Sequence, residues 1–371
     1  MMKKICILQN GMYFGGTDVF VLNLVRGLIR DGYEVLVILS LDEDKVTPKE
    51  RELLELGARI VKTSALEEVK SKINHLRKLY RILKEEKPDV FQTNIDLFNG
   101  PNLLVSWLAK VPIRECHSHN SQQDRELSQG RTFAIRIYQR IMRWMCWKFS
   151  NRRCGCSNDA MNFLFGNKWK NEKHSRIIHN GIDLLKFQPQ KNILEKRKEL
   201  DLKKRYNICT VGRISYQKNP LFIVDVLNEL FKIRNDCDFL WIGSGDLESQ
   251  VHERISKYGI SDRIHFLGNR DDVFAILPSM DVFFLPSNFE GLGIVLIEAQ
   301  AAGLPCVASN VVPKEANCGS IMYISLDEQV AVWAKKLSDV LDKKIELNVN
   351  QEKIDKYSIE NMVKEMEEVF E

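Results

Sequence analysis

Two glutamates and two glycines lie close together near residue 290, with types and spacing that suit an anion site. Glu290 lies in the turn after the apolar run Val282–Leu285, and Glu298 follows further along. Apolar residues recur beyond the turn at helical spacing, which predicts strand, turn and helix, with Glu298 about two turns inside the helix. Gly291 and Gly293 would leave backbone N–H groups uncovered at the helix start, where anions bind readily. The alternative is an ordinary strand–turn–helix unit with two solvated glutamates.

A second loop carries the cations that such a site needs. Gly212 follows the predicted strand Asn207–Val211, and Arg213 and Lys218 stand on the same loop. Arginine offers a bidentate fork and lysine a mobile point charge, so the pair could clamp a diphosphate. The alternative is two solvated cations.

Two histidines, His117 and His119, follow the predicted strand Ile113–Cys116. This position puts them at the carboxyl edge of a parallel sheet, where the ligand sites of α/β proteins lie. They could supply a general base or a sugar contact, bind a metal, or belong to a polar surface loop. Metal binding has the weakest support, because the histidines and one cysteine lack an evident further ligand. We therefore predict no metal site.

The elements that position these residues alternate between strand and helix through both halves of the chain. At 371 residues the chain is long enough for two domains, and the alternation predicts two α/β halves with parallel sheets. The passage between them falls at the turn-prone pair Asn180-Gly181, so the first domain ends near residue 182. The glycines Gly15 and Gly16 open the first helix without a G-x-G-x-x-G pattern, which argues against a nicotinamide site.

Three helix starts are predicted from capping residues. Thr17 would cap the first helix, Asn219 would cap a helix with Pro220 at its first position, and the pair Asp271-Asp272 would cap a helix at Val273.

Composition narrows the class of protein. A hydrophobic fraction of 44% with 28% charged residues is typical of a folded globular protein, and a net charge of +4 is too small to indicate nucleic-acid binding by itself. Nine cysteines, an odd number, without a secretory signal predict reduced thiols in the cytoplasm. The sequence contains no run of about 18 apolar residues, so we predict no transmembrane helix.

Residues 125–153 alternate basic and large apolar side chains. The basic members are Arg125, Arg131, Arg136, Arg140, Arg143, Lys148, Arg152 and Arg153. Such a helix is typical of an anionic membrane surface element. Alternatively its aromatic side chains pack into the domain and its arginines lie outside. A groove for single-stranded nucleic acid could share this composition, but no nucleic-acid motif supports it, and we predict no such partner.

Four segments in the same order resemble the retaining glycosyltransferases of the GT4 family, most closely the EpsF/CapM-like branch that builds bacterial surface polysaccharides. The resemblance covers nearly the whole chain. The segments are the histidine cluster at residues 117–120, His179–Asp183, Gly212-Arg213 with Lys218, and Glu290-x7-Glu298.

The resemblance implies a GT-B fold, in which two Rossmann-like domains face across a cleft and the C-terminal helix crosses back to the first domain. The domains would then be 1–182 with 356–371, and 183–355. It also implies a nucleotide-sugar donor, expected to be a UDP-sugar, a lipid-linked or oligosaccharide acceptor, and no metal or other cofactor. Such an enzyme is expected in the cytoplasm, peripheral at the inner face of the cell membrane.

The resemblance also assigns roles. Lys218 and Arg213 would neutralise the diphosphate, Glu298 would bind the ribose hydroxyls, and Glu290 would hold the sugar and phosphate. The implied catalytic residues are His117, Arg213, Lys218 and Glu290, with His117 contacting the donor sugar. The implied donor-binding residues are Gly16, Arg213, Lys218, Gly243, Phe266, Leu267, Glu290, Gly291, Leu292, Gly293, Ile294, Val295 and Glu298. The implied acceptor-side residues are His119 and Asn180.

The expected reaction releases a nucleoside diphosphate, whose developing negative charge cations and a helix N-terminus can stabilise. Retention is usually attributed in this family to front-face attack, and a double displacement through a carboxylate is the alternative. Two other functions remain open: a GT-B sugar-nucleotide epimerase, which needs no acceptor, and an inactive partner subunit.

Overall fold

The computed structural model describes residues 3–121, 133–187 and 193–371. The chain forms two compact units, each with a parallel sheet and flanking helices. The first unit runs to Ile182 and includes the C-terminal segment Ser358–Glu371, and the second is Asp183–Tyr357. The predicted α/β class with two Rossmann-like sheets is confirmed.

The first unit is built on seven parallel strands in the order β3-β2-β1-β4-β5-β6-β7. The strands are β1 (Lys4–Gln9), β2 (Glu34–Leu39), β3 (Arg59–Lys62), β4 (Val90–Thr93), β5 (Ile113–Ser118), β6 (Arg152–Gly155) and β7 (Ser175–Ile177). The helices are α1 (Gly16–Arg30), α2 (Glu50–Glu55), α3 (Val69–Glu86), α4 (Asn99–Leu108), α5 (Phe133–Phe149) and α6 (Asn158–Phe165). Apolar clusters cover both faces of this sheet, which explains the unbroken apolar run in β1.

The second unit has six parallel strands in the order β10-β9-β8-β11-β12-β13. The strands are β8 (Tyr206–Val211), β9 (Cys237–Ile242), β10 (Ile264–Gly268), β11 (Val282–Leu285), β12 (Cys306–Ser309) and β13 (Ile321–Ile324). The helices are α7 (Leu184–Phe187), α8 (Ile193–Glu199), α9 (Pro220–Ile233), α10 (Glu248–Tyr258), α11 (Val273–Ile276), α12 (Ile294–Ala301), α13 (Val330–Leu341) and α14 (Gln351–Asp355). The strand order reverses between β8 and β11, which is where open α/β sheets bind ligands.

The C-terminal helix α15 (Ile359–Phe370) belongs to the first unit and packs on α1. The two helices approach at Gly27, where a Cβ atom would collide with the side chain of Val363. Gly181 is similarly tight, since a Cβ there would lie 2.9 Å from the Ile359 Cα. Glycine is therefore required at both positions by close packing rather than by backbone conformation.

The predicted helix caps are partly wrong. α1 begins one residue before Thr17, with Gly15 at the N-cap, and the Asp18 carboxylate accepts a hydrogen bond from the Gly15 N–H at 2.9 Å. Asp272 precedes α11 but makes no side-chain cap, because its carboxylate pairs with Arg270 and Lys196 instead. These partners, Arg270 first, lower the pKa of Asp272 to about 2. Tertiary ion pairs thus replace the expected local bond.

Candidate functional site

The loop after β8 is shaped by backbone conformations that few residues adopt. Gly212 has φ of 145°, and a Cβ there would lie 2.9 Å from the Lys218 side chain. A short 3₁₀ turn follows at Tyr216–Lys218, and Asn219 takes a left-handed conformation before α9. Pro220 occupies the first position of α9 as predicted, while the Asn219 amide donates to the Pro286 carbonyl at 3.2 Å rather than capping the helix.

The loop after β11 docks directly onto this first loop. The Asn288 N–H donates to the Gln217 carbonyl at 2.8 Å, and the Asn288 side chain donates to the Tyr216 carbonyl at 2.7 Å. β8 and β11 are adjacent parallel strands, so both loops leave the same edge of the sheet. The structure therefore brings the predicted cation loop and the predicted glutamate loop into one site.

Glu290 is the centre of this site and is only 5% exposed. Its carboxylate accepts hydrogen bonds from Lys218 Nζ at 2.6 Å, Ser287 Oγ at 2.6 Å and Gln217 Nε2 at 3.2 Å. An ion pair buried to this degree is tolerated only when such additional hydrogen bonds satisfy its oxygens. The reading of Glu290 as a solvated glutamate is wrong. Ser287 and Gln217 received no role from the sequence, since only their contact with Glu290 identifies them.

The helix after the glutamate loop begins later than predicted. Gly293 is left-handed at φ of 81° and forms the N-cap, so α12 starts at Ile294 rather than near Leu292. Gly291, Leu292 and Ile294 are buried and Val295 is half-buried. Glu298 is consequently about one turn inside the helix, not two. The first amides of a helix have no intrahelical acceptor, so this start can bind an anion.

Glu298 differs from Glu290 in its surroundings. Its carboxyl makes no hydrogen bond or ion pair with the residues that the structure describes. The residue keeps some exposed surface, yet burial of the carboxyl raises its pKa to about 7, and the charge of Lys218 opposes this rise. A carboxyl without protein partners can accept hydrogen bonds from a ligand.

Arg213 stands on the same loop as Lys218 but is exposed, and no ion pair or hydrogen bond of its side chain occurs within the described residues. Its five N–H donors are thus available to an anion from solution.

Three predicted donor-binding residues lie on β10 or directly after β9. Gly243 has φ of 130°, and a Cβ there would collide with the Gly212 carbonyl, so the two loops touch through glycine backbone. Phe266 is half-buried and stacks on Trp241 at 5.8 Å between ring centroids, and Leu267 beside it is also half-buried. Gly243 thus lies at the loop edge next to β8, whereas Phe266 and Leu267 lie within β10, on the far side of β9 from β8.

In the first unit, the two histidines at the end of β5 are buried, so the surface-loop alternative is wrong. His117 is fully buried, which lowers its pKa to about 3, and its ring stacks on His119 at 4.5 Å. Burial, then the neighbouring His117, lowers the pKa of His119, whose Nε2 pairs with Asn94 Oδ1 at 2.8 Å. Both rings are therefore neutral at physiological pH.

The remaining predicted first-unit residues lie at chain turns. Gly16 is the exposed first residue of α1. Asn180 is 4% exposed, beside His179, whose Nδ1 and N–H both bind the Glu365 carboxylate of α15. The His179 segment thus anchors the C-terminal helix.

The basic and apolar stretch divides into two parts in the structure, and its residues 125–132 lie outside the described ranges. Arg153 is buried, with its guanidinium over the Trp147 ring, and Arg152 donates to the Val369 carbonyl. On α5 the exposed apolar side chains are Phe133, Ile137, Tyr138, Ile141 and Trp144, and Arg136 and Arg140 are exposed beside them. Only α5 therefore fits an interfacial element. Among the described helices, none has the length and apolarity needed to cross a membrane.

Comparison with known proteins agrees with this arrangement. Residues 14–185 match the model of Glycosyltransferase Family 4, and residues 191–362 match that of Glycosyl transferases group 1. The chain is 28% identical over 341 residues to the glycosyltransferase EpsF of Bacillus subtilis, covering 91% of this chain and 87% of EpsF. It is 29% identical to the UDP-Gal:α-D-GlcNAc-diphosphoundecaprenol α-1,3-galactosyltransferase of Escherichia coli, over 67% of this chain and 63% of that protein.

A solved structure of HepE from Anabaena, in complex with UDP and glucose, shares the fold. The TM-score is 0.79 at 17% identity, covering 99% of this chain and 98% of HepE. The two Rossmann-like domains are those of the GT-B class. With both domain models matched in order over nearly its whole length, the chain belongs to the GT4 family of glycosyltransferases.

Proposed function

We propose that the protein transfers a sugar, with retention of anomeric configuration, from a UDP-sugar to a lipid-linked saccharide in bacterial surface polysaccharide synthesis. The observation that carries this proposal is the union of the Lys218 loop with the Glu290 loop at the edge where the second sheet reverses its strand order. The two docked loops bring together cations, a helix start and two glutamates with different surroundings.

The diphosphate is assigned to Lys218, Arg213 and the start of α12. The Lys218 ammonium has three N–H donors, so it can bind a phosphate oxygen without leaving Glu290. Arg213 is exposed and can close on the anion from outside, and the amides at Ile294 and Val295 face no intrahelical acceptor. Together these groups stabilise charge on the departing diphosphate.

The two glutamates take different parts. Glu298, which has no side-chain partner among the described residues, accepts the ribose hydroxyls as its carboxylate, while Glu290 holds Lys218 in position and contacts the sugar. His117 keeps the role that the family resemblance implies, a contact with the donor sugar. Gly16, Gly243, Phe266 and Leu267 stay predicted donor contacts, and His119 and Asn180 predicted acceptor-side residues.

In the reaction, the bond between the anomeric carbon and the diphosphate oxygen breaks, and the acceptor oxygen forms the new bond on the same face of the sugar. The acceptor proton passes to the departing phosphate, so charge balances without a protein nucleophile. We favour this front-face route, since Glu290 is held by three donors and is poorly placed to attack.

The proposed classes of donor and acceptor are taken from those of similar proteins. The Escherichia coli enzyme is named for UDP-Gal and a diphosphoundecaprenol-linked acceptor, and HepE was solved with UDP and glucose. We propose the same classes here, with the enzyme acting at the inner face of the cell membrane.

The experiment is to incubate the purified protein with a panel of nucleotide sugars, with and without extracted bacterial lipid acceptors. We expect release of nucleoside diphosphate and a glycolipid only when both substrates are present, with the anomeric coupling constant in the NMR spectrum showing retention. No donor binding or consumption in either condition would refute the proposal. An epimerised nucleotide sugar without acceptor would instead select the epimerase function.

We also propose that α5 docks on anionic membranes, because it exposes a row of large apolar side chains beside Arg136 and Arg140. Arg136→Gln with Arg140→Gln should weaken flotation with anionic vesicles. The matched control neutralises two exposed cations elsewhere in the first unit, Arg51→Gln with Lys70→Gln. Equal loss in both pairs, or no loss in the first, would contradict docking through α5.

A further inference from the structure

A second polar cluster lies inside the first unit, on the face of the sheet that α1 covers. Gln92 pairs in register with Glu115 across β4 and β5, and His117 pairs with Cys154 across β5 and β6. All four residues are fully buried, and the Phe20 ring of α1 lies 4.6 Å from the His117 ring. Four polar groups from three adjacent strands therefore lie together in the core of the first unit.

These groups only partly satisfy one another. No hydrogen bond of ordinary direction reaches the amide atoms of Gln92, the carboxyl oxygens of Glu115 or the ring nitrogens of His117 from the described residues, although hydrogen bonding from Cys154 and Gln92 lowers the pKa of Glu115 against the effect of burial. His117 Nδ1 lies 3.2 Å from Glu115 Oε1, yet the pair does not have the direction of a hydrogen bond. Buried polar groups in native proteins are nearly always paired. Several buried polar atoms without a well-directed hydrogen bond in one place therefore indicate a common partner that other protein groups do not supply.

The distances fit an ion as that partner. One ligand atom each from Glu115, His117 and Cys154 lies within 4.8 Å of the other two. Around a tetrahedral zinc ion with bonds of roughly 2.0–2.3 Å, neighbouring ligand atoms are about 3.3–3.7 Å apart. The close, misdirected contact of Nδ1 with Oε1 is what two ligands aimed at a common third atom would show.

The charges fit as well. A carboxylate and a thiolate carry two negative charges, which a divalent cation cancels, and the imidazole is neutral, so the loaded pocket has no net charge to desolvate. Oxygen, nitrogen and sulfur donors together favour zinc over magnesium or calcium, which prefer oxygen alone.

We propose that Glu115, His117 and Cys154 bind a structural zinc ion in the core of the first unit, with Gln92 beside it as a further oxygen donor. The ion would clamp β4, β5 and β6 together and fix the orientation of the His117 ring. Because the pocket is buried, the ion enters as the chain folds. The proposal shares His117 with the proposed function, but it is tested separately, because zinc content and the cobalt spectrum are measured without donor or acceptor.

The first test is the metal content of tag-free protein produced with zinc in the medium. We expect one zinc ion per chain, retained against a chelator in the native state and released on unfolding. Protein refolded with Co²⁺ should show a near-ultraviolet thiolate-to-cobalt charge-transfer band. Wild-type protein that folds without bound zinc and shows no such band with Co²⁺ would overturn the proposal, and the cluster would then be a proton-sharing carboxyl–imidazole pair.

The second test separates this site from a general effect of losing a buried thiol. Cys154→Ser should lose the cobalt band and lower zinc content at least tenfold. Cys116→Ser is the matched control, because Cys116 is equally buried and lies between Glu115 and His117 in β5 but belongs to the core on the opposite face of the sheet. Circular dichroism checks that both variants fold. A cobalt band that persists in folded Cys154→Ser, or disappears only in Cys116→Ser, would overturn the assignment.

Discussion

Two buried glutamates, Glu290 in the second unit and Glu115 in the first, have opposite surroundings. Glu290 accepts bonds from a lysine, a serine and a glutamine, all on two docked loops. Glu115 is more deeply buried, in the middle of a strand, where no well-directed hydrogen bond reaches its oxygens from the described residues. Burial raises its pKa to about 8, and hydrogen bonding from Cys154 and Gln92 opposes this rise. Loops can adjust to satisfy a charge, whereas a strand fixed in register cannot. A buried polar group on such a strand therefore needs a bound ligand or ion as its partner.

The largest effect on stability and donor binding should follow from removing Lys218, the cation that pairs with Glu290. Lys218→Ala leaves Glu290 buried without its countercharge, which should lower the free energy of unfolding by about 3 kcal/mol and weaken UDP-sugar binding about 100-fold. Urea denaturation and calorimetric titration measure the two quantities.

The double variant Lys218→Met with Glu290→Leu separates these effects. Removing both charges should restore most of the stability, because a buried ion pair can be replaced by apolar groups of similar volume. Donor binding should stay lost. Recovery of binding in the double variant would show that neither residue holds the donor.

The next effect concerns Glu298 and depends on pH. Its folded pKa of about 7 lies above its ordinary value near 4.5, so the folded state binds more protons than the unfolded state between these values. The contribution of Glu298 to stability should therefore fall by about 1–3 kcal/mol as the pH rises from about 4.5 to 7, and Glu298→Gln should remove this part of the fall. Glu115, whose pKa burial raises to about 8, contributes a fall of the same sign in both proteins. Unfolding curves across this window measure the contribution of Glu298, and a wild-type profile equal to that of the variant would contradict it.

Donor affinity should change with pH in the opposite direction at the same residue. The carboxylate accepts the ribose hydroxyls, so a UDP-sugar should bind several-fold more weakly as the pH falls below 7. Glu298→Gln should bind weakly at every pH. An intact nucleotide sugar is the suitable ligand, because its diphosphate has no proton to lose in this range.

A smaller effect is expected from one neutral hydrogen bond to Glu290. Ser287→Ala should cost about 1 kcal/mol of stability and a few-fold in donor affinity, because it loosens the carboxylate that holds Lys218. Ser279→Ala is the control, since Ser279 is equally buried and donates to the Ile276 carbonyl away from these loops. A donor affinity lowered equally in both variants would refute the positioning role.

The smallest effect on stability is expected at Gln92, beside Glu115, His117 and Cys154. In zinc-free protein, Gln92→Leu removes an amide without a well-directed hydrogen bond to the described residues and should change stability by no more than about 0.5 kcal/mol. In the loaded protein it should lower zinc affinity about 10–100-fold. Competition with a chromophoric chelator measures the affinity. A loss above about 2 kcal/mol without zinc would show that the amide already has a partner.

Much of the second unit follows from local sequence. The apolar runs predict the strands, Pro220 marks the first position of α9 and the spacing of Glu290 and Glu298 locates their loop and helix. The start of α12 was misplaced because the left-handed conformation of Gly293 is decided by the docking of its loop, and a sequence pattern cannot distinguish that glycine from a helical one.

In the first unit, local sequence did not predict which side chains of neighbouring strands meet. His117 and His119 were correctly placed at the end of β5, but the only cysteine considered beside them was their neighbour in the chain, so the sequence did not bring Cys154 to His117. Successive residues of a strand point to opposite faces of the sheet, so Cys116 faces one core and Cys154, from the next strand, faces the other beside His117.

By itself the sequence determined the βα alternation, the glycine turns and the loops that carry the cations and glutamates, because these depend on residues close together along the chain. The tertiary structure alone decided that Ser287 and Gln217 satisfy Glu290, that Arg153 is structural, and that Glu115, His117 and Cys154 converge. Parallel strands are joined by long crossovers, so their register, and therefore which side chains meet, is fixed only when the whole sheet assembles.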